Sequence, residues 1–238
     1  MLEVNHIHTM RCGHASGTDR ELIEACMKIG AKKMLISDHG PFPDDCFHHQ
    51  MRMKELDEYV STWTDLKKEY ASDIEIHLGL EMEYFPKYDQ HYRYLNSIKE
   101  LDAGLLLGQH MFFDGSRYSL DYTSDEWGKK ECQGLGDAMV DGINSGYFSR
   151  VAHPDRIFRH RKPWDDLCAR YSKQIIYSAM DRGMMLEKNI SSMKMGVIRQ
   201  EFWALVPTSA VTYIAADAHC LRDIMTLPNM VRRINEMI

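Results

Sequence analysis

The chain has 238 residues, 44% of them hydrophobic and 27% charged, with a formal net charge of −6. That profile belongs to soluble globular proteins and excludes collagen-like, low-complexity and disordered chains. A net negative charge argues against a broad basic surface, so nucleic acid is not an expected partner. The most apolar run, Gly104-Leu105-Leu106-Leu107-Gly108, is far too short to span a bilayer, and no membrane association is expected. The first residues, Met1-Leu2-Glu3-Val4-Asn5-His6, lack the basic start and apolar stretch of a secretion signal. Six cysteines, at positions 12, 26, 46, 132, 168 and 220, form no C-x-x-C pair. They suit reduced thiols in a cytoplasmic protein.

Short strand-like runs alternate with helical ones. Residues 2–8 alternate as a strand, and residues 19–29 read as a helix. Thr18 or Asp19 can cap that helix, and Gly30 can end it. Residues 34–37 form a second strand. Residues 52–71 form a long amphipathic helix with Leu56, Tyr59, Val60, Trp63, Leu66 and Tyr70 near one face. A third strand covers 74–80, a helix 88–101 and a fourth strand 104–109. Residues 125–143 predict a helix broken near Gly134 or Gly136. A fifth strand at 149–152, a helix at 164–182 and a sixth strand at 184–187 follow. The chain closes with a short helix at 200–206, a seventh strand at 211–215 and a helix at 224–237.

Seven strands alternating with helices predict an α/β fold with a parallel sheet, read as one domain over residues 1–238. No strand stands out in length and none is marked as an edge. This favours a closed or nearly closed barrel over a doubly wound sheet. In such a barrel, functional residues sit at the C-terminal ends of the strands.

Histidine occurs twelve times, and its placement is ordered. The strand ends carry His6-Ile7-His8 with His14 close behind, Ser37-Asp38-His39, Gly79-Leu80-Glu81, Gly108-Gln109-His110, Ala152-His153 and Asp217-Ala218-His219. Residues two apart in a strand point the same way, so His6 with His8, and Asp217 with His219, predict paired donors. Imidazole and carboxylate are ligands for zinc, manganese or iron. The full set exceeds what one tetrahedral ion needs and suits two or three divalent ions. A lone H-x-H is as often an ordinary hydrogen-bonded pair; the force lies in the joint placement. A structural zinc cage would use cysteine, and only Cys220, after His219, stands near a strand end. Glu83 competes with Glu81 for one role, and Glu81 is preferred because it ends the strand. His48 and His49 read as a solvated or lid pair, His77 as structural, His91 as helical and His160 as part of a basic run.

These motifs, in this order, resemble the polymerase and histidinol phosphatase (PHP) family of metal-dependent phosphoesterases. The resemblance spans nearly the whole chain. It implies a distorted (β/α)7 barrel with its active site at the C-terminal strand ends. Cys12-Gly13-His14-Ala15, Asp38-His39-Gly40-Pro41-Phe42-Pro43 and residues 56–81 are most similar to the stand-alone histidinol-phosphate phosphatases of bacteria. The resemblance implies one ion on His6, His8, Glu81 and Asp217, a second on His14, His39 and His219, and a third on Glu81, His110 and His153.

The implied reaction is hydrolysis of L-histidinol phosphate, a small-molecule phosphomonoester of histidine biosynthesis, by a metal-bound hydroxide. Arginine suits phosphate as a bidentate fork. The resemblance favours Arg159 and Arg199 as phosphate clamps, with Arg11 a further candidate. Asp44, Asp45 and His48 are candidate proton donors. Three other readings stand beside this one: another small nucleotide or sugar phosphate as substrate, a non-catalytic metal-binding module, and an amidohydrolase. The last usually needs a bridging lysine, and no lysine ends a strand.

Overall fold

The predicted alternation of strands and helices is what the chain adopts. A computed structural model describes residues 2–120, 128–161 and 163–237. In chain order the described elements are β1 (Leu2–Ile7), α1 (Asp19–Lys28), β2 (Ala31–His39), α2 (Leu56–Glu69), β3 (Glu75–Met82), α3 (Asp89–Ser97), β4 (Gly104–Leu107), β5 (Met111–Phe113) and β6 (Tyr118–Leu120). They continue with α4 (Gly128–Ser145), β7 (Phe148–Val151), α5 (Asp166–Asp181), β8 (Met185–Asn189), α6 (Ile190–Lys194), α7 (Gln200–Trp203), β9 (Thr212–Ala215) and α8 (Leu221–Met237).

Two compact units divide the chain. One comprises Met1–Glu81, Arg93–Leu105 and Ile214–Ile238, and the other Met82–Tyr92 and Leu106–Tyr213. The chain crosses from one to the other within β3, α3, β4 and β9.

In the first unit, β1 pairs in parallel with β2, and β2 with β3. The end of the last strand returns to the first: Ala216 and Ala218 donate N–H groups to the carbonyls of Asn5 and His6 at 2.8 and 3.0 Å. In the second unit β7 pairs in parallel with β8. The strand order is β1-β2-β3-β4-β7-β8-β9. With the segment just after β9 bridged to β1 through Ala218 and Ile7, this is the pairing of a barrel and not of an open sheet with two edges.

Local chemistry explains the helices of the first unit. Thr18 caps α1 and Glu21 reaches back to the Thr18 N–H, a reciprocal box that satisfies two otherwise unpaired donors. Gly30, at φ 80°, supplies the left-handed residue that ends it. Helix α2 buries Leu56, Tyr59, Trp63 and Leu66, one stripe at helical spacing. The Tyr59 hydroxyl donates to the Gly79 carbonyl of β3 at 2.8 Å, tying that stripe to the sheet. The expected helix from residue 52 begins instead with a tight 3-10 turn over Met53–Glu55.

In the second unit, α4 departs from expectation. The predicted start at residue 125 lies outside the described residues, and the predicted break does not occur. Gly134 and Gly136 are there for close packing. A side-chain carbon on Gly134 would run into the Phe112 ring, and one on Gly136 would sit 2.5 Å from Tyr171 Cδ1 of α5. Two elements escaped the sequence reading because they are short. One is the β5–β6 hairpin, turned at Asp114 and Gly115. The other is α6, capped by the Asn189 side chain accepting from the Ser192 N–H at 2.7 Å.

Gly136→Ala tests the packing. Helix propensity alone favours alanine by about 1 kcal/mol. Overpacking costs about 1–3 kcal/mol, and the Tyr171 ring cannot swing away. Its hydroxyl is anchored on Asp137 at 2.5 Å. Denaturant unfolding is expected to show a net loss of stability for the variant.

Candidate metal centre

Strand β1 sets the geometry, though not by simple alternation. Val4 pairs with Met34 and Ile7 with Ile36, so β1 uses one residue more than β2 over that stretch. This bulge puts His6 in the left-handed region at φ 65°. The expectation that His6 and His8 share a face by strand periodicity is therefore corrected: the bulge re-aims His6, and β1 ends before His8. Asp217, at φ 49°, likewise lies beyond the end of β9, so its convergence with His219 also comes from irregular backbone.

Seven of the nine expected donors gather in the first unit: His6, His8, His14, His39, Glu81, Asp217 and His219. Glu81 Oε2 faces His39 Nδ1 at 3.1 Å, His6 Nε2 at 3.3 Å and His8 Nε2 at 3.6 Å. Asp217 Oδ1 lies 3.2 Å from His8 Nε2. The imidazole of His8 stacks on His219 and lies against His39, with ring centroids 4.0 and 4.3 Å away. His6, His8 and Glu81 are buried, whereas His14 is exposed, so the cluster runs from the interior to solvent. The other two donors, His110 and His153, belong to the second unit, where their rings meet edge to face at 4.8 Å.

Hydrogen bonds assign the imidazole tautomers. His14 Nδ1 lies 3.1 Å from the Cys12 carbonyl, and His219 Nδ1 lies 3.2 Å from the Asp217 carbonyl. A carbonyl only accepts, so each Nδ1 carries the proton and each Nε2 keeps its lone pair. Burial and the neighbouring histidines hold His219 down to about 4, and partial desolvation beside His8 and His49 lowers His14. Burial alone would raise Asp217, but His6, His8 and His219 hold its carboxyl well below the usual range. Burial opposes the charged form of His8, yet Asp217 and Asp38 push it up to about 9. Around neutral pH His14 and His219 offer neutral imidazole lone pairs and Asp217 an ionised carboxylate, the states a divalent cation requires, whereas His8 holds its proton until a cation displaces it. Both ring nitrogens of His8 face carboxylates at full burial without completing a hydrogen bond, an arrangement that a cation in place of the His8 proton would satisfy.

Several residues that the sequence reading left unassigned belong here. Asp38 is fully buried, with Oδ1 3.5 Å from His8 Nδ1. It accepts the His39 N–H at 2.9 Å and the Thr9 hydroxyl. Its signal was its place beside His39 at the end of β2. Cys12 Sγ lies within 4.8 Å of donor atoms of His14 and His219. His49, set aside with His48, stands edge-on to His14 at 5.2 Å. Glu81 and Glu83, weighed for one role, have different partners: Glu83 engages His110 in the second unit. His77 lies between Glu75 and Asp102, at 2.9 Å from each, and His160 faces Glu131.

The arginines have partners within the chain. Arg11 is not held ready for phosphate. Its guanidinium grips Asp19 through two bonds of 3.0 and 2.8 Å and Glu58 through two of 2.8 and 2.9 Å. Nor is Arg199 held ready for phosphate. Its Nη1 donates to the carbonyls of Phe158 and Arg161 at 3.0 and 2.7 Å, and its guanidinium stacks over Trp164. Its backbone N–H donates to the buried Asp155 at 2.8 Å. Arg199 thus braces the turn after β7, which carries Arg159. Asp45, a candidate proton donor, accepts the Met53 N–H at 2.9 Å.

Parallel strands that return to their start, with imidazoles and carboxylates at the strand ends, make up a barrel of the metal-dependent hydrolase class. The chain belongs to the PHP domain family, whose sequence profile matches residues 5–191. A Deinococcus radiodurans protein assigned as a histidinol-phosphatase is 26% identical over 194 residues, covering 78% of this chain and 72% of that protein. A Listeria monocytogenes protein assigned as the histidinol phosphatase HisK has the same fold, with a TM-score of 0.78 at 17% identity over 94% of this chain and 97% of that one. Histidinol phosphate phosphatase from Lactococcus lactis, solved with zinc, L-histidinol and phosphate, has a TM-score of 0.70 at 15% identity, covering 97% of this chain and 92% of its own. The expected α/β barrel of seven parallel strands is therefore the fold of this chain.

Asp38→Asn tests the arrangement around His8. Replacing an outer carboxylate behind a ligating histidine typically weakens metal binding by roughly 10–100-fold. Competition with a chromophoric chelator is expected to show such a loss for zinc, with the circular dichroism spectrum unchanged. Wild-type affinity in the variant would remove Asp38 from the site.

Proposed function

We propose that this chain is a metal-dependent phosphomonoesterase that hydrolyses L-histidinol phosphate to L-histidinol and phosphate. One observation carries the reading: seven imidazole and carboxylate donors converge in the first unit, with Asp217 ionised and His219 neutral around neutral pH. Family membership supports it, as do the names of the relatives. The zinc, L-histidinol and phosphate of the Lactococcus lactis structure support this substrate over other small phosphates.

His6, His8, Glu81 and Asp217 would hold one ion, and His14, His39 and His219 a second. In the second unit, His110 and His153 would serve a third. The donor types suit zinc, manganese or iron. Bound divalent ions would bring the pKa of water toward neutrality and offset the charge of the phosphate. The chain's own residues do the rest. The carbonyls of Cys12 and Asp217 keep the protons of His14 and His219 on Nδ1. Asp38 steadies His8. Arg159 would take the phosphate oxygens as a permanently charged fork, on the turn that Arg199 braces. Among the described residues no helix is long and apolar enough to cross a membrane, which is compatible with a cytoplasmic biosynthetic enzyme.

Phosphate release from L-histidinol phosphate, measured beside nucleotide, sugar and aryl phosphates on protein of known metal content, tests the reading. The highest kcat/KM is expected for L-histidinol phosphate. A better nucleotide or sugar phosphate would keep the chemistry and replace the substrate. No turnover of any ester by metal-loaded protein would leave a binding module.

Arg159→Ala should lower kcat/KM by something on the order of 100-fold, as the loss of one well-placed charged donor does. Bound metal, measured by mass spectrometry of the digested protein, should stay at the wild-type level. Loss of metal instead would make Arg159 structural.

A further inference from the structure

We infer that Glu83 is a positioning residue for His110: it holds the proton of that imidazole on Nδ1, so that Nε2 presents its lone pair, and it strengthens Nε2 as a ligand. The inference rests on the reading of His110 as a metal ligand and concerns only residues of the second unit.

Glu83 is buried, and its two oxygens have separate tasks. Oε2 accepts the backbone N–H of His110 at 2.7 Å and that of Met111 at 3.1 Å. Oε1 lies 3.0 Å from His110 Nδ1. The Gly108 carbonyl lies 2.9 Å from the same nitrogen. A carboxylate and a carbonyl, both acceptors, can share Nδ1 only if Nδ1 carries hydrogen. In the neutral ring the lone pair is then on Nε2.

Two other histidines show what Glu83 adds. His14 and His219 also turn Nδ1 toward the carbonyl of the residue two before them. That local turn is enough to select a tautomer. His110 has the same turn with Gly108 and, in addition, a carboxylate. A carboxylate behind an imidazole makes the opposite nitrogen more basic and fixes the ring plane, as in the carboxylate–histidine–metal arrangement. Glu83 also grips the His110 backbone, so one side chain sets both where the ring is attached and which nitrogen faces outward.

A purely structural role has a different signature. If Glu83 only tied down the His110 and Met111 backbone, glutamine would replace it well. The amide oxygen would take the two N–H bonds. Its NH2 group would then be left facing His110 Nδ1, where a donor meets a donor. Glu83→Gln therefore preserves the backbone anchor and opposes the Nδ1–H tautomer.

The experiment uses full-length protein labelled with 15N-histidine. Two-bond 15N–1H correlation spectra report the tautomer of each ring, and His110→Asn assigns the His110 signals. The expected wild-type result is the Nδ1–H form, with Nε2 responding to added zinc. In Glu83→Gln the Nδ1–H form should be depleted. One zinc equivalent should weaken by roughly 10–100-fold in chelator competition, while the remaining sites keep their affinity. An Nε2–H tautomer in the wild type overturns the inference, and this needs no Glu83 variant to fold. So does a Glu83→Gln protein with wild-type tautomer and wild-type zinc affinity. A His110 Nε2 that ignores zinc in the wild type defeats the ligand reading and the role of Glu83 together, whereas a responsive Nε2 with the wrong tautomer defeats Glu83 alone.

Discussion

Everything in the first unit depends on one electrostatic constraint: acceptors and lone pairs have been packed against each other inside a protein. Glu81 Oε2 meets nitrogens of three histidines at 3.1 to 3.6 Å, and Asp217 meets a fourth pairing at 3.2 Å on His8. His14 and His219 have spent their N–H groups on backbone carbonyls. Burying ionised carboxylates costs several kcal/mol each unless opposite charge compensates it. A cluster arranged this way is complementary to cations, and the same crowding lowers Asp217 and raises His8.

The backbone contributes its own strain. His6, His153 and Asp217 have positive φ angles of 65°, 29° and 49° without being glycine. Such residues cost on the order of 1–3 kcal/mol each and persist only where surrounding structure holds them. Each stands at or beyond a strand end. Regular β geometry would send neighbouring side chains to opposite faces; the bulge in β1 and the bends after β7 and β9 re-aim them.

Residues of one type have divided into distinct roles. Glu81 meets the imidazoles of the first unit, while Glu83, two positions on, anchors His110. Arg11 and Arg199 have given their donors to carboxylates and carbonyls of the protein. A charged side chain near a strand end can bind, brace or cap. Sequence spacing does not distinguish these because each depends on partners remote in the chain: Glu58 for Arg11, Phe158 and Arg161 for Arg199.

The donor identities and the parallel α/β order were legible in the sequence because both are local. A strand followed by a helix follows from apolar periodicity and caps such as Thr18 with Glu21, and histidine at a strand end can be read by eye. Local pattern was also misleading where packing overrode it. Gly134 and Gly136 signalled a break in α4 but allow the close approach of Phe112 and Tyr171. What only the tertiary structure decided was orientation: which nitrogen of each imidazole keeps its lone pair, which carboxylate supports which ring, and which arginines are already committed. Many of those choices are made by contacts between groups far apart in sequence, such as the Asp38 carboxylate facing His8 and the hydrogen bonds of Glu83 to His110. A linear pattern carries residue types and spacing, whereas hydrogen-bond direction exists only once the chain has folded.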